Sequence, residues 1–322
     1  MKKILFAAMA LAAFAACSKE TTVEVNREAI AFGQVFVDNS TKAAADPSYG
    51  NKDSHKPLTS FNVYGAVEGV NIFNGNTVTK GTKAYSTEAW NFAENTPTQY
   101  WVAGADYIFD AVVDATNVQT DQYTGLPVSL TYDVATQKDM LHDRVETEGS
   151  ANHGLVAFTF PHLLSKVKLT VKNSSAADAT NYRITVTDIV LSDIYSKGDY
   201  QVADGSWDEL TDDGTYTIAN MEIDSATEKE CAAEVLLIPD VDYGISFKVN
   251  VQIKKGEDWV TLTSTDFEKE DVGQLVANHA YNLKAEYTIG GEIKFTATEM
   301  TEWANGNTQD TNADNVEDSV VL

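Results

Sequence analysis

Only three arginines, Arg27, Arg144 and Arg183, occur in 322 residues, too few to build a cluster that grips phosphate through paired hydrogen bonds. The basic side is thin altogether: 23 Lys and Arg face 48 Asp and Glu, for a formal net charge of −25. A surface of that sign repels a polyanion, so nucleic acid is not expected as a partner. Cysteine is equally scarce. Cys17 directly follows an N-terminal targeting segment, and Cys231 is the only other cysteine, so no intrachain disulfide is expected in the mature chain. Packing must therefore hold the fold. The context EKECAAEVLLIP leads Cys231 into an apolar strand, which reads as a buried structural thiol.

Catalytic patterns are missing too. His55, His142, His153, His162 and His279 show no pairing at i, i+4 around a glutamate and no cysteine at zinc spacing. His162 and His279 adjoin strand-like runs and read as structural. There is no nucleophile elbow, no P-loop and no glycine-rich dinucleotide turn. The pairs Asp208–Glu209 and Asp212–Asp213 fall in ADGSWDELTDDGTY, which reads as solvated turns rather than a glycosidase cleft. The acidic DTNADNVED lacks the glycine and terminal glutamate of a calcium loop. Neither an enzyme nor a bound cofactor or metal is expected. Trp90, Tyr100, Trp101, Tyr107 and Phe109 are able to stack on a sugar, but such residues more often fill the core of a β-sandwich.

What the chain does have is strand character. With 43% hydrophobic and 10% aromatic residues it can bury a substantial core, and its length suggests about two domains. Runs rich in Val, Ile, Thr, Tyr and Phe recur, among them SFNVYGAV, DYIFDAVV, PVSLTYDV and YNLKAEYTI, bounded by Gly, Asn, Asp and Pro. In KVKLTVKN, Val167, Leu169 and Val171 share one face opposite Lys166, Lys168, Thr170 and Lys172. In GISFKVNVQIKK, Ile245, Phe247, Val249, Val251 and Ile253 form one apolar row. Such alternation predicts an all-β, mostly antiparallel sandwich. TEAWNFAEN and DFEKEDVGQLVAN each suggest a helical turn or two. Gly290-Gly291 in YTIGGEIKF predicts a tight hairpin. The polar HDRVETEGSANHG separates two strand-rich halves, giving an N-terminal domain at 29–158 and a C-terminal domain at 159–322. The tail at 304–322 is acidic and polar, which predicts disorder or order only against a partner.

The N-terminus reads as a targeting segment. Lys2 and Lys3 precede an apolar run from Ile4 to Phe14 that is too short to span a bilayer as a helix. The following FAAC resembles the lipobox of bacterial lipoproteins, with Phe14 where Leu is commoner. That resemblance implies a signal peptide at 1–16, lipid on Cys17 and an outer-membrane anchor, followed by a polar tether at 17–28; the alternative is a secreted protein cut beside Cys17. Next comes NREAIAFGQVFVDNSTKAAAD, a predicted first strand at 29–38 with apolar residues on both faces. Lys42, followed by Ala43 in a run of small residues, suits a trypsin-like surface protease.

Taken in order, the lipobox, EAIAFGQVFVDNSTKA, GLVAFTFPHLLSKVKLTVKN and the late LVANHAYNLKAEYTI…IKFTATEMTEW resemble the fimbrillin family, the type V pilus subunits of Bacteroidales bacteria. The resemblance implies two tandem transthyretin-like β-sandwich domains, export as a lipoprotein, proteolytic removal of the first strand, and polymerisation with other pilin subunits by strand exchange. Better-known members are cut after arginine, whereas the matching position here is Lys42, and Arg27 lies ahead of the strand. The run at 292–303, EIKFTATEMTEW, alternates Ile293, Phe295 and Ala297 against Lys294, Thr296 and Thr298 and ends in Trp303; it is the expected donor strand. A stalk pilin is the leading reading. A surface glycan-binding lipoprotein, or an anchor or tip subunit, is the alternative.

Overall fold

The computed structural model describes residues 28–33, 35–37, 58–79, 90–150, 153–174, 182–211, 214–223, 230–288, 293–300 and 316–320. Among them the chain is almost wholly β, with a single 3-10 turn at Val134–Thr136. The two expected helical segments are strands instead: Asn91–Phe92 closes one sheet, and Asp258–Gln274 forms one long strand. In the second case DWVTLTSTDF feeds β-branched residues straight into the supposed helix, and pairing with Asp242–Lys255 along the ladder overrides the weak local helical signal.

Four larger sheets and two short strand pairs make up the fold. The first sheet is antiparallel, in the order Asn91–Phe92, Val70–Thr79, Ser60–Val67, Asp106–Val113 and Leu141–Glu148. A second, of four strands, joins Asn117–Thr120 and Pro127–Asp133 to Lys197–Gln201 and Trp207–Asp208. It therefore draws strands from both sides of residue 158. The third runs Glu230–Leu237, Ser165–Asn173, Ala280–Tyr287, Ile293–Met300 and Val316–Val320. Its one parallel pair is Ser165–Asn173 with Ala280–Tyr287. The fourth centres on Tyr182–Ile194 and the hairpin of Asp242–Lys255 with Asp258–Gln274.

The third and fourth sheets face each other across the larger core, as the alternating rows require. Val167, Leu169 and Val171 are buried from one side, and Ile245, Phe247, Val249 and Val251 from the other. The polar row is less simple than alternation suggested, because Lys166 and Thr170 are buried as well. Their strand is interior to its sheet, and burial holds the Lys166 ammonium below its usual range, offset by the Glu234 and Asp139 carboxylates. Cys231 is half-buried rather than buried, on a strand with one free edge. Ala280–Tyr287 and Ile293–Met300 pair antiparallel, as the expected hairpin requires, and the Gly290-Gly291 turn itself lies outside the described residues. Val316–Val320 is a strand paired with its own chain's Ile293–Met300, not a free tail.

The smaller core is aromatic and lies under the first sheet. Gly65 makes that packing possible: a Cβ there would meet the Phe73 ring at 2.9 Å and the Phe109 ring at 3.0 Å. Gly65→Ala should therefore lower stability by about 1–3 kcal/mol through overpacking. Chemical denaturation checks this; an unchanged midpoint would show that the rings move aside freely.

Candidate functional site

Residues 28–37 do not form the single strand expected at 29–38. They make two short strands, Ala31–Phe32 and Phe36–Val37, with a break between. Each runs parallel to a partner: Ala31 and Phe32 pair with Leu155 and Val156, and Phe36 and Val37 pair with Thr159 and Phe160. On the opposite edge the segment meets residues 99–101. Ile30 N–H donates to Gln99 O at 2.8 Å, Trp101 N–H donates to Glu28 O at 3.1 Å, and Ala29 bridges Tyr100 antiparallel. Trp90 N–H donates to Phe32 O at 2.7 Å, and Gly33 N–H donates to Val156 O at 3.0 Å. The segment thus lies in a slot with backbone partners on both sides, and those partners lose their bonds if it leaves.

Its side chains fill the slot floor. Ile30 is 3% exposed and Phe32 0%. Four rings meet Phe32 edge-on, Phe61 at 6.3 Å, Phe73 at 5.8 Å, Phe92 at 5.6 Å and Phe109 at 5.5 Å, while Phe158 stacks on it at 5.6 Å. Edge-to-face and offset pairs at these separations add to the gain from burying the ring. Removing the segment would open a hole at the centre of the smaller core.

One end of the slot is imperfect. Glu28 and Trp101 are cross-strand neighbours, and the indole of Trp101 stacks on His153 at 3.8 Å. Glu28 Oε2, Trp101 Nε1 and His153 Nδ1 are all buried without a hydrogen-bond partner among the described residues. His153 uses its other nitrogen, 2.8 Å from Thr147 Oγ1. Unmet polar atoms in a protein interior are destabilising.

Beside the slot, Asp143 Oδ2 accepts from Thr159 N–H at 2.7 Å, which steadies the short strand under Phe36 and Val37. Burial holds its carboxyl above the usual aspartate range, against the pull of the Thr159 and Arg144 backbone N–H groups. On the adjoining strand a fully buried Asp110 is met by three donors. Its Oδ1 lies 2.7 Å from His142 Nε2 and 2.9 Å from Arg144 Nε, and its Oδ2 accepts from Arg144 Nη2 at 3.0 Å. This ion group ties Asp106–Val113 to Leu141–Glu148, and sequence reasoning missed it. The available signal was a carboxylate in the middle of the apolar DYIFDAVV.

Other expected residues fall as follows. Trp101, Tyr107 and Phe109 are core, Trp90 is half-buried against it, and Tyr100 is exposed, so no flat sugar-stacking platform is assembled from this set. His162 lies 2.9 Å from the Asp139 carboxylate, and His279 Nδ1 lies 2.8 Å from Ala277 O, both in structural roles. Among the described residues no group of three His, Cys, Asp or Glu is placed to hold a metal. Ile293 and Phe295 are buried in the larger core and Ala297 packs against it, while Cys17, Lys42, Ala43 and Trp303 lie outside the described residues.

A β-sandwich protein with its own N-terminal segment seated as a strand between two others is the class that this geometry defines. The chain belongs to the fimbrillin-like family, whose sequence profile matches residues 58–312. Similar folds have been solved for a fimbrial protein of Bacteroides vulgatus ATCC 8482 (12% identity, 84% of this chain and 98% of that one covered, TM-score 0.56). A protein described as a cell adhesion protein of Bacteroides uniformis ATCC 8492 is similar too (18% identity, 88% and 99% covered, TM-score 0.51). So is a third, from Bacteroides ovatus ATCC 8483, under the same description (15% identity, 88% and 99% covered, TM-score 0.53). At these identities the likeness is one of fold. No curated protein matches the sequence. Family membership makes the chain, by class, a pilus or adhesin subunit of the cell surface.

Three outcomes follow for the slot. Phe32→Ala should lower stability by about 3–5 kcal/mol, the usual cost of emptying a buried phenyl site, read as a shift in denaturation midpoint. Glu28→Met, which removes the one unmet carboxylate oxygen, should instead raise stability by about 1 kcal/mol; a fall in melting temperature would show that this oxygen is satisfied. For Asp143, a folded pKa above the unfolded one means that the native state binds more protons between the two values, so stability falls as pH rises through that window. Asp143→Asn keeps an acceptor for Thr159. Its stability relative to wild type should climb as pH rises from about 4, the unfolded aspartate value, toward neutrality, and a difference independent of pH would refute the assignment.

Proposed function

We propose that this chain is a structural pilin, a stalk subunit of a cell-surface fimbrium built by strand exchange, with no catalytic role. The observation that carries the reading is the seat of Phe32: a segment near the N-terminus is bonded on both edges and buried at the hub of five rings, yet it belongs to no larger sheet. In this scheme the precursor is anchored in the outer membrane by lipid on Cys17 and is closed while residues 28–37 occupy the slot. A trypsin-like surface protease cuts between Lys42 and Ala43 and releases the segment with its lipid. The emptied slot then exposes ring faces and unpaired backbone groups, each unfavourable in water. A strand from another subunit restores both by β-augmentation. Because donor and acceptor surfaces differ, the join runs head to tail and extends into a filament. The division into transthyretin-like domains at 29–158 and 159–322 belongs to the same proposal, as does donation by the strand with Ile293, Phe295 and Ala297 and, beyond it, Trp303.

The coring of Trp101, Tyr107 and Phe109 favours this reading over a glycan-binding surface. The test is processing. Wild-type cells should yield a mature form beginning at Ala43 in filaments seen by electron microscopy, whereas Lys42→Ala should give an uncut, folded monomer. Filaments made of uncut subunits would sink the mechanism. Cys17→Ala should leave the membrane fraction and assemble no filaments; retention at wild-type level would refute the lipid anchor.

A further inference from the structure

The fourth sheet has a second face. Ile184, Val186, Val249 and Val251 are buried beneath it, so the residues alternating with them point away from the core. The ladders set Arg183 beside Gln252 and Gln252 beside Thr261, with Trp259 opposite Lys254 two residues further along. These side chains form a bonded outer layer. Arg183 Nε donates to Gln252 Oε1 at 2.6 Å, and its Nη1 donates to Glu222 Oε2 at 3.0 Å. Gln252 Nε2 donates in turn to Thr261 Oγ1 at 3.3 Å. Next along the sheet, Asn250 Nδ2 donates to Thr187 Oγ1 at 3.1 Å, and Ser264 Oγ donates to Asn250 Oδ1 at 2.7 Å. The Arg183 guanidinium also lies against the indole of Trp259, 4.7 Å from the ring centroid. Trp259 is half-buried and belongs to neither core, so core packing does not account for it.

We propose that Trp259 is the platform of a saccharide-binding site, on which an uncharged pyranose of a glycan chain stacks against the indole face turned away from Arg183. The face of an aromatic ring is the negative side of its quadrupole, and the C–H bonds on one side of a pyranose are its positive complement. The platform is set before the sugar arrives. Gln252 and Glu222 fix the guanidinium, and the guanidinium fixes the indole, so little side-chain freedom is lost on binding. The rim suits hydroxyl groups. Thr261 Oγ1 accepts from Gln252 and keeps its own proton to donate, and the exposed Lys254 ammonium stands 6.0 Å from the ring centroid as a further donor. Other charges on this face are matched within it: Arg183 with Glu222 at 3.0 Å, and Lys248 with Asp266 at 3.4 Å and Asp188 at 3.7 Å. On a chain of net charge −25, such a surface favours a neutral ligand over an acidic one. The sheet face is open rather than enclosing, which fits a sugar within a chain. The site is separate from the slot and does not depend on strand exchange.

The test is calorimetric titration of the full chain with linear hexaoses of glucose, mannose, xylose and galactose, and with a galacturonic acid hexamer as the acidic probe. At least one neutral hexaose should bind with millimolar affinity or better. Trp259→Ala should weaken that binding about tenfold, the worth of one good aromatic contact, whereas Trp259→Tyr, which keeps a ring face, should cost about threefold or less. Melting temperatures of both variants show whether the fold is intact. Hydroxyl-radical footprinting of the unaltered chain needs no variant: the bound hexaose should shield Trp259 from oxidation and leave the half-buried Trp207, on another sheet, unchanged. Failure of all four neutral hexaoses to bind would overturn the proposal. So would binding that survives Trp259→Ala in a folded protein, shielding that spares Trp259, or binding of the acidic hexamer alone. Filament assembly is not read in any of these measurements, so the strand-exchange reading stands or falls separately.

Discussion

Everything distinctive about this molecule depends on one side chain in one place: the phenyl ring of Phe32, enclosed by Phe61, Phe73, Phe92, Phe109 and Phe158. The ring belongs to a segment with no long ladder of its own. Its two strands have two residues each, and parallel pairs of that length contribute little by themselves. The segment is held by what it buries. A cut outside the slot therefore changes no contact directly, but it removes the covalent tether that keeps the occupant at high effective concentration.

The two cores divide the labour. The larger one is an aliphatic interior between facing sheets, with Val167, Leu169 and Val171 against Ile245, Phe247 and Val249. The smaller one is aromatic, and its central ring, Phe32, comes from the segment at 28–37. Around it, charges are used as fasteners. Asp110 with His142 and Arg144 clamps the two strands next to the slot. A single carboxylate with three donors in a buried site is well satisfied, whereas losing the Arg144 guanidinium would leave its charge without its cationic partner. Asp143 steadies the strand beneath Phe36 and Val37 through Thr159. The slot walls are thus stiffened by contacts in which the segment at 28–37 takes no part.

The net charge of −25 complements this arrangement. Like-charged subunits resist nonspecific association, so only a contact with large local burial overcomes the repulsion. The long hairpin of Asp242–Lys255 with Asp258–Gln274 illustrates the point at its free edge, where Asp266, Glu268, Glu270 and Asp271 are exposed. Charged edges of this kind discourage strand pairing with a neighbour.

Fold class and the apolar rows of the main sandwich were legible in the sequence, because a period of two records directly which face of a strand is buried; the family was legible from the resemblance of its motifs taken in order. The opening segment was legible as a strand, but with apolar residues on both faces its pattern did not say that Ile30 and Phe32 are the ones facing inward. Three things were not. The supposed helix at DFEKEDVGQLVAN became a strand because a long partner was waiting at Asp242–Lys255, and a ladder outweighs local propensity. The tail's Val316–Val320 found its partner in Ile293–Met300, a contact that composition does not encode. Most of all, nothing in EAIAFGQVFV tells which strands flank it: only the folded chain brings 99–101 and 155–160 to its two edges, because those contacts join residues far apart in sequence. The sequence by itself determined which apolar rows of the main sandwich would be buried; tertiary structure decided against what, and buried Lys166, Thr170 and Asp110 besides, since side-chain periodicity is local and the choice of neighbour is not.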